Sequence, residues 1–422
     1  MPLDFVARGQ RVYECIPPEP LAPFPFRSIT KSGMDFIESE EQGLLRKSIQ
    51  KIAARYGHEY YAGEARSGGK ADALWKELAE GGFLGINLPV DYGGGGLGIY
   101  ELAMVCEELA AAGTPFLLLI VSPAICGTII ARCGTREQRA AFLPGLCSGS
   151  EKMAFAITEP DAGSNSHDIA TRATPDGDGF RLTGTKYFIS GHDEAANVLV
   201  VANTGVAKEG GRARLSLFVV PTDAPGLTAA RIPVEIQSPE KQFTLFFDNV
   251  FVPRDRLIGE EGSGLKQVFI GLVPERITGA ALANGLGLYA LNKAARYARE
   301  RKVWGSVPIG AHQGIAHPLA KAKIEVELAR LMTSKAAWLY DNGLEAGEAA
   351  NMAKYSAAEA GLAALDQAIQ THGGNGMATE FGLADLWGMA RLLRTAPVSR
   401  EMVLNYVAQH SLGLPRSYGD QR

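Results

Sequence analysis

The stretch FAITEPDAGSNSHDIATRA, residues 155–173, decides the fold, because a new hydrophobic pattern begins here. Near residue 151 the spacing of apolar residues changes from about four to about two, the period of β-strands. The stretch itself combines a strand end, a turn and a loop of small residues that carries hydroxyls and exposed amides. Such a loop lets a ligand approach the backbone and can cradle phosphates, although alone it is more typical of a tight turn between strands.

This change of period divides the chain into an arm and three domains. Short strands joined by Gly, Asp, Asn and Pro turns fill residues 151–263 and predict a compact β domain. Helical spacing covers residues 33–150, behind a proline-rich arm at residues 1–32. In residues 264–422 four or five alanine-rich helices are expected, at roughly 264–303, 313–343, 346–372, 380–394 and 398–411. We therefore predict an α+β fold whose last domain is an antiparallel four-helix bundle.

Composition argues against several classes of function. The chain has 422 residues, of which 46% are apolar and 21% charged, with a formal net charge of −4. This balance gives no support for nucleic acid or an anionic membrane as the main partner. The apolar run PFLLLIVSPAICGTII contains Pro123 and is shorter than the roughly 20 residues of a membrane span, so it predicts a buried helix.

Cysteine usage and the N-terminus indicate the compartment. The five cysteines are odd in number, form no CxxC pair and show no zinc-type spacing to histidine. The N-terminal residues lack a basic segment followed by an apolar core. We therefore expect free thiols in a reducing compartment, the cytoplasm, and no metal site.

Several further motifs follow in a fixed order: LTGTKYFISG, FDNVFVPRDRLIGEEGSGL, ERKVWG, HQG and THGGNGMATE. Together with residues 155–173 they resemble the acyl-CoA dehydrogenase family, over about residues 34–412. The resemblance implies a helical N-terminal domain, a central β-barrel or sandwich domain and a C-terminal four-helix bundle, with FAD between them. It also implies a homotetramer built as a pair of dimers, an acyl-CoA substrate and an electron-transferring flavoprotein as acceptor.

The resemblance assigns FAD contacts to residues from the β domain and the bundle. The strand and loop next to the flavin match Phe155, Ile157, Thr158, Gly163 and Ser164, and the loop also meets the thioester end of the CoA ligand. Phe188 and Ser190 match an aromatic–hydroxyl pair on the flavin, where the family more often has tryptophan and threonine.

A second group of matching residues lies in the last domain. Contacts to the FAD of a partner subunit and to the adenine-side phosphates match Arg301, Trp304, His312, Gln313, Gln370, Gly373 and Gly374. For Trp304, packing in the core is an equal alternative, and for Arg301 the alternative is a solvated helix end.

The usual catalytic glutamate of the family is missing from its segment. Most members carry it in a YEGT motif, where this chain has LRTAPVSREMVLNYVA. Ala396 occupies the position of the glutamate and Pro397 that of the glycine. Glu401 is no easy substitute, because five residues further along a helix it points about 140° away. The backbone N–H of Ala396 remains, and the resemblance assigns it to the thioester carbonyl, which makes Ala396 a substrate contact.

Glu275, in LVPERITGAALANG at residues 272–285, supplies a carboxylate elsewhere. Its helical face continues through small apolar residues such as Gly279, which predicts poor solvation and a raised pKa, and Pro274 suits a first helical position. The position matches a minority of the family, the isovaleryl- and long-chain-type enzymes, which carry the base on this earlier helix. The alternatives for Glu275 are a buried salt bridge or a charge at a helix N-terminus. Arg276 resembles the CoA-binding arginine, with a structural ion pair as its alternative.

These residues predict one reaction and leave two alternatives. The prediction is FAD-dependent α,β-dehydrogenation of an acyl-CoA to the trans-2-enoyl-CoA, with Glu275 removing the α-proton and flavin N5 accepting the hydride. One alternative is an oxygen-using flavoenzyme on the same fold. The other is a flavin-binding partner subunit of a heteromeric dehydrogenase, which the missing YEGT glutamate would suit.

Overall fold

The computed structural model describes residues 37–206 and 213–417. The proline-rich arm expected at residues 1–32 lies outside these ranges. Within them, no helix is both long enough and apolar enough to cross a membrane. The same residues contain no cluster of His, Cys, Asp and Glu side chains that would hold a metal ion.

Helices form the first part of the described chain. Their bounds are α1 Glu40–Ser67, α2 Asp72–Glu80, α3 Ile99–Ala111, α4 Thr128–Cys133 and α5 Arg136–Ser148. Ser39 and Thr135 begin α1 and α5 with capping boxes, in which each hydroxyl accepts the N–H of a glutamine that bonds back to the cap. The apolar run before α4 includes a π-helical segment, Ile120–Gly127, and most of its residues are buried. The sequence-based prediction of a buried helix there is confirmed.

Eight strands form the middle of the chain. Their bounds are β1 Met153–Ala156, β2 Arg172–Asp176, β3 Gly179–Ser190, β4 Asn197–Val206, β5 Ala213–Pro221, β6 Leu227–Ile232, β7 Gln242–Pro253 and β8 Leu257–Ile258. They pair in the order β6-β7-β3-β2-β4-β5-β8, and β1 pairs in parallel with β4.

Strand β1 joins the two hydrophobic cores of the protein. Met153 and Phe155 pack into the large core that the helices share, whereas Ala154 and Ala156 pack into the smaller core of the sheet. Burial of both faces explains why all four residues of β1 are apolar, since successive side chains of a strand point to opposite faces. The end of β1 is therefore fixed firmly at the boundary between the sheet and the helices.

The last part of the chain is helical again. Its elements are α6 Gly264–Glu300, α7 Gln313–Asp341, α8 Gly347–His372, α9 Trp387–Thr395 and α10 Arg400–His410. A methyl group added at Gly361 of α8 would lie 2.4 Å from the Ala283 carbonyl of α6, so this glycine lets the two backbones approach closely. The order α, β, α and the predicted α+β fold class with a C-terminal helical bundle are confirmed.

Pro274 lies inside α6, and its expected place at a helix start is wrong. A proline cannot donate to the carbonyl four residues before it, which here is Ile270 O. The Tyr340 hydroxyl of α7 donates to this oxygen over 3.1 Å. A partner on the neighbouring helix therefore satisfies the carbonyl that the proline leaves free, and the helix continues past it.

Candidate active site

Glu275 lies inside α6, and its carboxylate has no side-chain partner among the described residues. It is about three helical turns from the first residue, Gly264, which rules out the role of a charge at the helix N-terminus. Among residues 37–206 and 213–417, no side chain forms a hydrogen bond or an ion pair with this carboxylate. The side chain is half-buried, and desolvation raises its pKa to about 7 against the opposing charges of Arg276 and Lys354. The buried salt bridge considered for Glu275 is therefore absent.

The face of α6 that carries Glu275 is not tightly packed one turn further along the helix. Gly279 follows one turn later, and a methyl group added there would meet only the Pro397 Cδ atom, at 3.8 Å. Pro397 belongs to the turn between α9 and α10, where a cis peptide bond joins it to Ala396. Gly279 therefore separates α6 from this turn by little more than the size of a methyl group, one helical turn from Glu275.

The backbone N–H of Ala396 has a partner within the protein. It donates to Leu392 O over 2.9 Å, as the last hydrogen bond of α9. Ala396 is extended, with φ −113° and ψ 155°, which agrees with the restriction imposed by the following proline. The expectation that this N–H polarises a thioester carbonyl is therefore not supported, because the helix end uses it.

Arg276 is half-buried beside Glu275 and has a partly satisfied guanidinium. One terminal nitrogen donates to Leu272 O over 2.7 Å, whereas the buried Nε–H has no partner in the described structure. No carboxylate pairs with this arginine within residues 37–206 and 213–417, so the structural ion pair considered for it is absent. An unpartnered buried donor on a cation fits a residue that binds a ligand.

A buried ion pair organises the loop after β1. Lys186 of β3 is fully buried, pairs with Glu159 over 2.8 Å and donates to Ile157 O over 3.0 Å. The Glu159 carboxylate also accepts the backbone N–H groups of Ala170 and Thr171. Desolvation alone would raise the pKa of Glu159, but Lys186 and the N–H donors outweigh it and lower the pKa. The two ends of the loop are held together at this carboxylate.

The loop itself presents Gly163 and Ser164 to solvent. A methyl group added at Gly163 would meet no atom within 4 Å, so its backbone is open to a ligand. At the base of the loop, Ile157 and Thr158 are half-buried and Phe155 is buried. Sequence reasoning selected these residues but missed the Lys186–Glu159 pair. Strand alternation places Lys186 on the same face as buried Leu182, so the sequence could have indicated that Lys186 is buried and needs a partner.

Phe188 projects from an irregularity of β3 next to this loop. The register of β3 and β7 shifts between Lys186 and Ile189, and Phe188 has a positive φ of 56°. Its side chain is 50% exposed, although the neighbouring residue Ile189 is buried in the sheet. Ser190 donates from Oγ to Gln242 Oε1 over 3.0 Å. The bulge turns an aromatic ring outward, whereas the Ser190 hydroxyl is already engaged within the sheet.

The second group of predicted contacts lies on the surface of the helical bundle. All seven residues are exposed: Arg301, Trp304, His312, Gln313, Gln370, Gly373 and Gly374. Trp304 is 89% exposed, which excludes core packing within this chain. A methyl group at Gly373 or Gly374 would meet nothing within 4 Å, so both backbones are accessible. An exposed tryptophan and open glycine amides suit contacts that a ligand or a second subunit completes.

The fold has helical domains on either side of a central sheet, and comparison with known proteins identifies its class. Three acyl-CoA dehydrogenase family models match the chain: the N-terminal domain at residues 39–150, the middle domain at 154–250 and the C-terminal domain at 262–412. The chain belongs to the acyl-CoA dehydrogenase family and is an oxidoreductase that acts on acyl-CoA with FAD as its cofactor.

Individual relatives cover nearly the whole chain. It is 58% identical over 385 residues to acyl-CoA dehydrogenase FadE12 of Mycobacterium tuberculosis, spanning 91% of this chain and 99% of the relative. A glutaryl-coenzyme A dehydrogenase in complex with glutaryl-CoA superposes with a TM-score of 0.86 at 30% identity, covering 91% of this chain and 98% of that chain. Butyryl-CoA dehydrogenase from Megasphaera elsdenii gives 0.85 at 28% identity, covering 90% and 100%.

Proposed function

We propose that this protein converts an acyl-CoA thioester to the trans-2-enoyl-CoA, with Glu275 as the base that removes the α-proton. The observation that carries the proposal is the Glu275 carboxylate: no side chain of residues 37–206 and 213–417 pairs with it, Gly279 leaves room one helical turn away, and burial raises its pKa to about 7. A general base works best when its pKa lies near the working pH. Family membership supports the acyl-CoA substrate, and the missing glutamate at Ala396 leaves the role of base to Glu275.

The residues around the β1 loop fit FAD as the cofactor. The outward-facing ring of Phe188 offers a surface for stacking, and the open backbone at Gly163 admits close approach of a ligand. The accessible amides at Gly373 and Gly374 suit phosphate oxygens, and the Arg301 side chain supplies positive charge. FAD bound there would accept the β-hydrogen of the substrate as a hydride at N5.

The chain's own residues have three tasks in this reaction. Glu275 removes the α-proton and holds it. Gly279, which has no side chain, leaves room for the acyl chain beside the carboxylate. Arg276 offers its free Nε–H to the CoA portion. Polarisation of the thioester carbonyl falls to donors other than Ala396, whose N–H bonds to Leu392 O.

The free carboxylate also bears on the two alternatives. A partner subunit that lacks a base would not need a desolvated, unpaired glutamate, so Glu275 favours an active chain. An oxygen-using enzyme would reoxidise its flavin rapidly in air without any acceptor protein. We propose instead that an electron-transferring flavoprotein takes the electrons. We also propose that the enzyme is cytoplasmic, because its buried thiols Cys106, Cys126 and Cys147 suit a reducing compartment.

Anaerobic titration of the purified yellow protein with acyl-CoAs of different length and branching tests the proposed reaction. We expect at least one acyl-CoA to bleach the flavin absorbance in a stoichiometric amount and to yield the enoyl-CoA. Admitting air afterwards measures the reoxidation rate, and slow reoxidation separates a dehydrogenase from an oxidase. A flavin that no member of the series bleaches would refute the proposal.

The raised pKa of Glu275 predicts a pH dependence. The ionised carboxylate is the active base, so kcat/KM for flavin reduction should rise with pH through about 7, the pKa of the free enzyme, and then level off. Stopped-flow reduction measured at a series of pH values provides the profile. Glu80→Gln is the control and should keep the same midpoint, because Glu80 is exposed on α2, away from Glu275. A profile that stays flat from about pH 6 to 8 would contradict the assignment.

An apolar stripe on α7 supports the proposed homotetramer. Ile324, Leu328 and Leu331 are 60%, 62% and 50% exposed and recur at four- and three-residue steps along one face of the helix. We predict that Leu328→Glu dissociates the assembly, because a charge would be buried in an apolar interface. Sedimentation measures the change. The same substitution at Leu404, an exposed leucine of α10, is the control, and an assembly that survives Leu328→Glu would place the interface elsewhere.

A further inference from the structure

Lys354 of α8 is a buried cation for which the reaction proposed above has no task. Only 2% of its surface is exposed. Its ammonium donates to Arg394 O over 3.3 Å and to Val398 O, and neither acceptor is a carboxylate. Carbonyl oxygens satisfy N–H groups but leave the net charge uncompensated, and a buried charge without a counter-charge is costly. A buried lysine at this position therefore calls for a functional explanation.

The two carbonyls that Lys354 binds lie at either end of the Ala396–Pro397 turn. Arg394 is in the last turn of α9, where carbonyl oxygens carry partial negative charge, and Val398 precedes the cap of α10. The ammonium therefore holds the beginning and the end of this turn together. The Pro397 ring of this turn also lies next to Gly279 of α6, four residues after Glu275.

Lys354 and Glu275 influence each other's pKa without forming an ion pair. Desolvation and Arg276 lower the pKa of Lys354 to about 8, while the Glu275 carboxylate opposes this change. In return, the positive charges of Arg276 and Lys354 lower the pKa of Glu275, against the increase that desolvation causes. Other titratable groups that act on the pair are Glu359 of α8, Glu401 of α10 and Cys126 beside Glu275. The two positively charged groups in this set are Arg276, on the same helix as Glu275, and Lys354, on α8.

We propose that Lys354 is a positioning residue for the proposed base: it holds both ends of the Ala396–Pro397 turn against the face of α6 that carries Glu275 and Gly279, and it supplies a positive charge there. The proposal rests on the role of Glu275 as the base. In a water-poor site a unit charge acts at longer range than at the surface, because little solvent screens it. Without Lys354, Glu275 would be protonated over more of the neutral range and would accept a proton less often.

The test measures the ionisation of Glu275 without relying on turnover. Infrared difference spectra between each protein and its Glu275→Gln counterpart isolate the protonated carboxyl band of this one residue, which is then titrated with pH. Lys354→Gln removes the charge and keeps a donor for the carbonyls, Lys354→Met removes both, and Lys354→Arg keeps the charge. Lys321→Gln, at an exposed lysine of α7, controls for the loss of one positive charge.

In the holoenzyme, we expect the Glu275 pKa to rise by about one unit in Lys354→Gln and Lys354→Met, as expected for losing a nearby opposite charge. Lys354→Arg should restore the value, and Lys321→Gln should not change it. The midpoint of the pH–rate profile should move with the infrared titration. If Lys354→Met does not fold, Lys354→Gln alone decides. An unchanged Glu275 pKa in a folded Lys354→Gln protein would overturn the proposal, whereas a shifted pKa in a protein that reduces no acyl-CoA would refute the proposed function instead.

Discussion

Replacing Glu275 with glutamine is expected to lower the rate of flavin reduction by acyl-CoA about 10²–10⁴-fold, the usual contribution of a general base. The amide has almost the same shape as the carboxylate but cannot accept a proton. Because the Glu275 side chain forms no hydrogen bond or ion pair with residues 37–206 or 213–417, the substitution removes no side-chain contact of that kind there. Removing a desolvated charge should even raise the thermal stability slightly, since burial opposes the ionised form.

Two controls make this result specific. Glu401→Gln changes the carboxylate closest in sequence to the missing YEGT glutamate and should leave the reduction rate unchanged, because Glu401 is exposed. FAD content and acyl-CoA binding should be the same in Glu275→Gln and the wild type. If Glu401→Gln were inactive and Glu275→Gln fully active, the base would lie on α10 and Glu275 would be structural.

Replacing Lys186 with methionine is expected to cause the largest loss of stability, about 3–5 kcal/mol, the usual result of removing one partner of a buried ion pair. Glu159 would keep its charge and its two backbone donors but lose the cation 2.8 Å away. The Ile157 carbonyl would also lose a donor at the end of β1. The denaturation midpoint should fall, and bound FAD should decrease because the Gly163 loop loses its anchor.

A second substitution distinguishes charge imbalance from lost packing. Adding Glu159→Gln to Lys186→Met removes the unpaired charge while keeping an oxygen that accepts a backbone N–H. The double variant should therefore be more stable than Lys186→Met alone. If the double variant were less stable by the sum of the two single effects, the two residues would not be energetically coupled and the loop would depend on other contacts.

Local patterns predicted the order of helices and strands and selected Glu275 as the candidate base. The change of hydrophobic period near β1 separated helices from strands, because burial on one face dictates that period. Glu275 could be selected because its own helix supplies the small residues beside it, including Gly279. The unpaired state of its carboxylate, however, depends on the other helices of the bundle and could not be read from α6 alone.

Features that depend on contacts between distant segments were missed or misjudged. Lys186 and Glu159 meet only when β3 packs beside the end of β1, and Lys354 meets its acceptors 40 and 44 residues further along the chain. The helix start expected at Pro274 was wrong because Tyr340, on another helix, supplies the missing donor. The Ala396 N–H was assigned to a substrate, although the end of α9 uses it.

Exchange of the α-protons in D₂O is the most direct test of the central claim that Glu275 is the base. A 3-thia-acyl-CoA, in which sulfur replaces the β-carbon, can lose an α-proton but has no β-hydrogen to transfer. We predict that the wild-type holoenzyme incorporates deuterium at the α-carbon of this analogue, measured by mass spectrometry, and that Glu275→Gln incorporates almost none. Equal incorporation by both proteins would contradict the account and place the base on another residue.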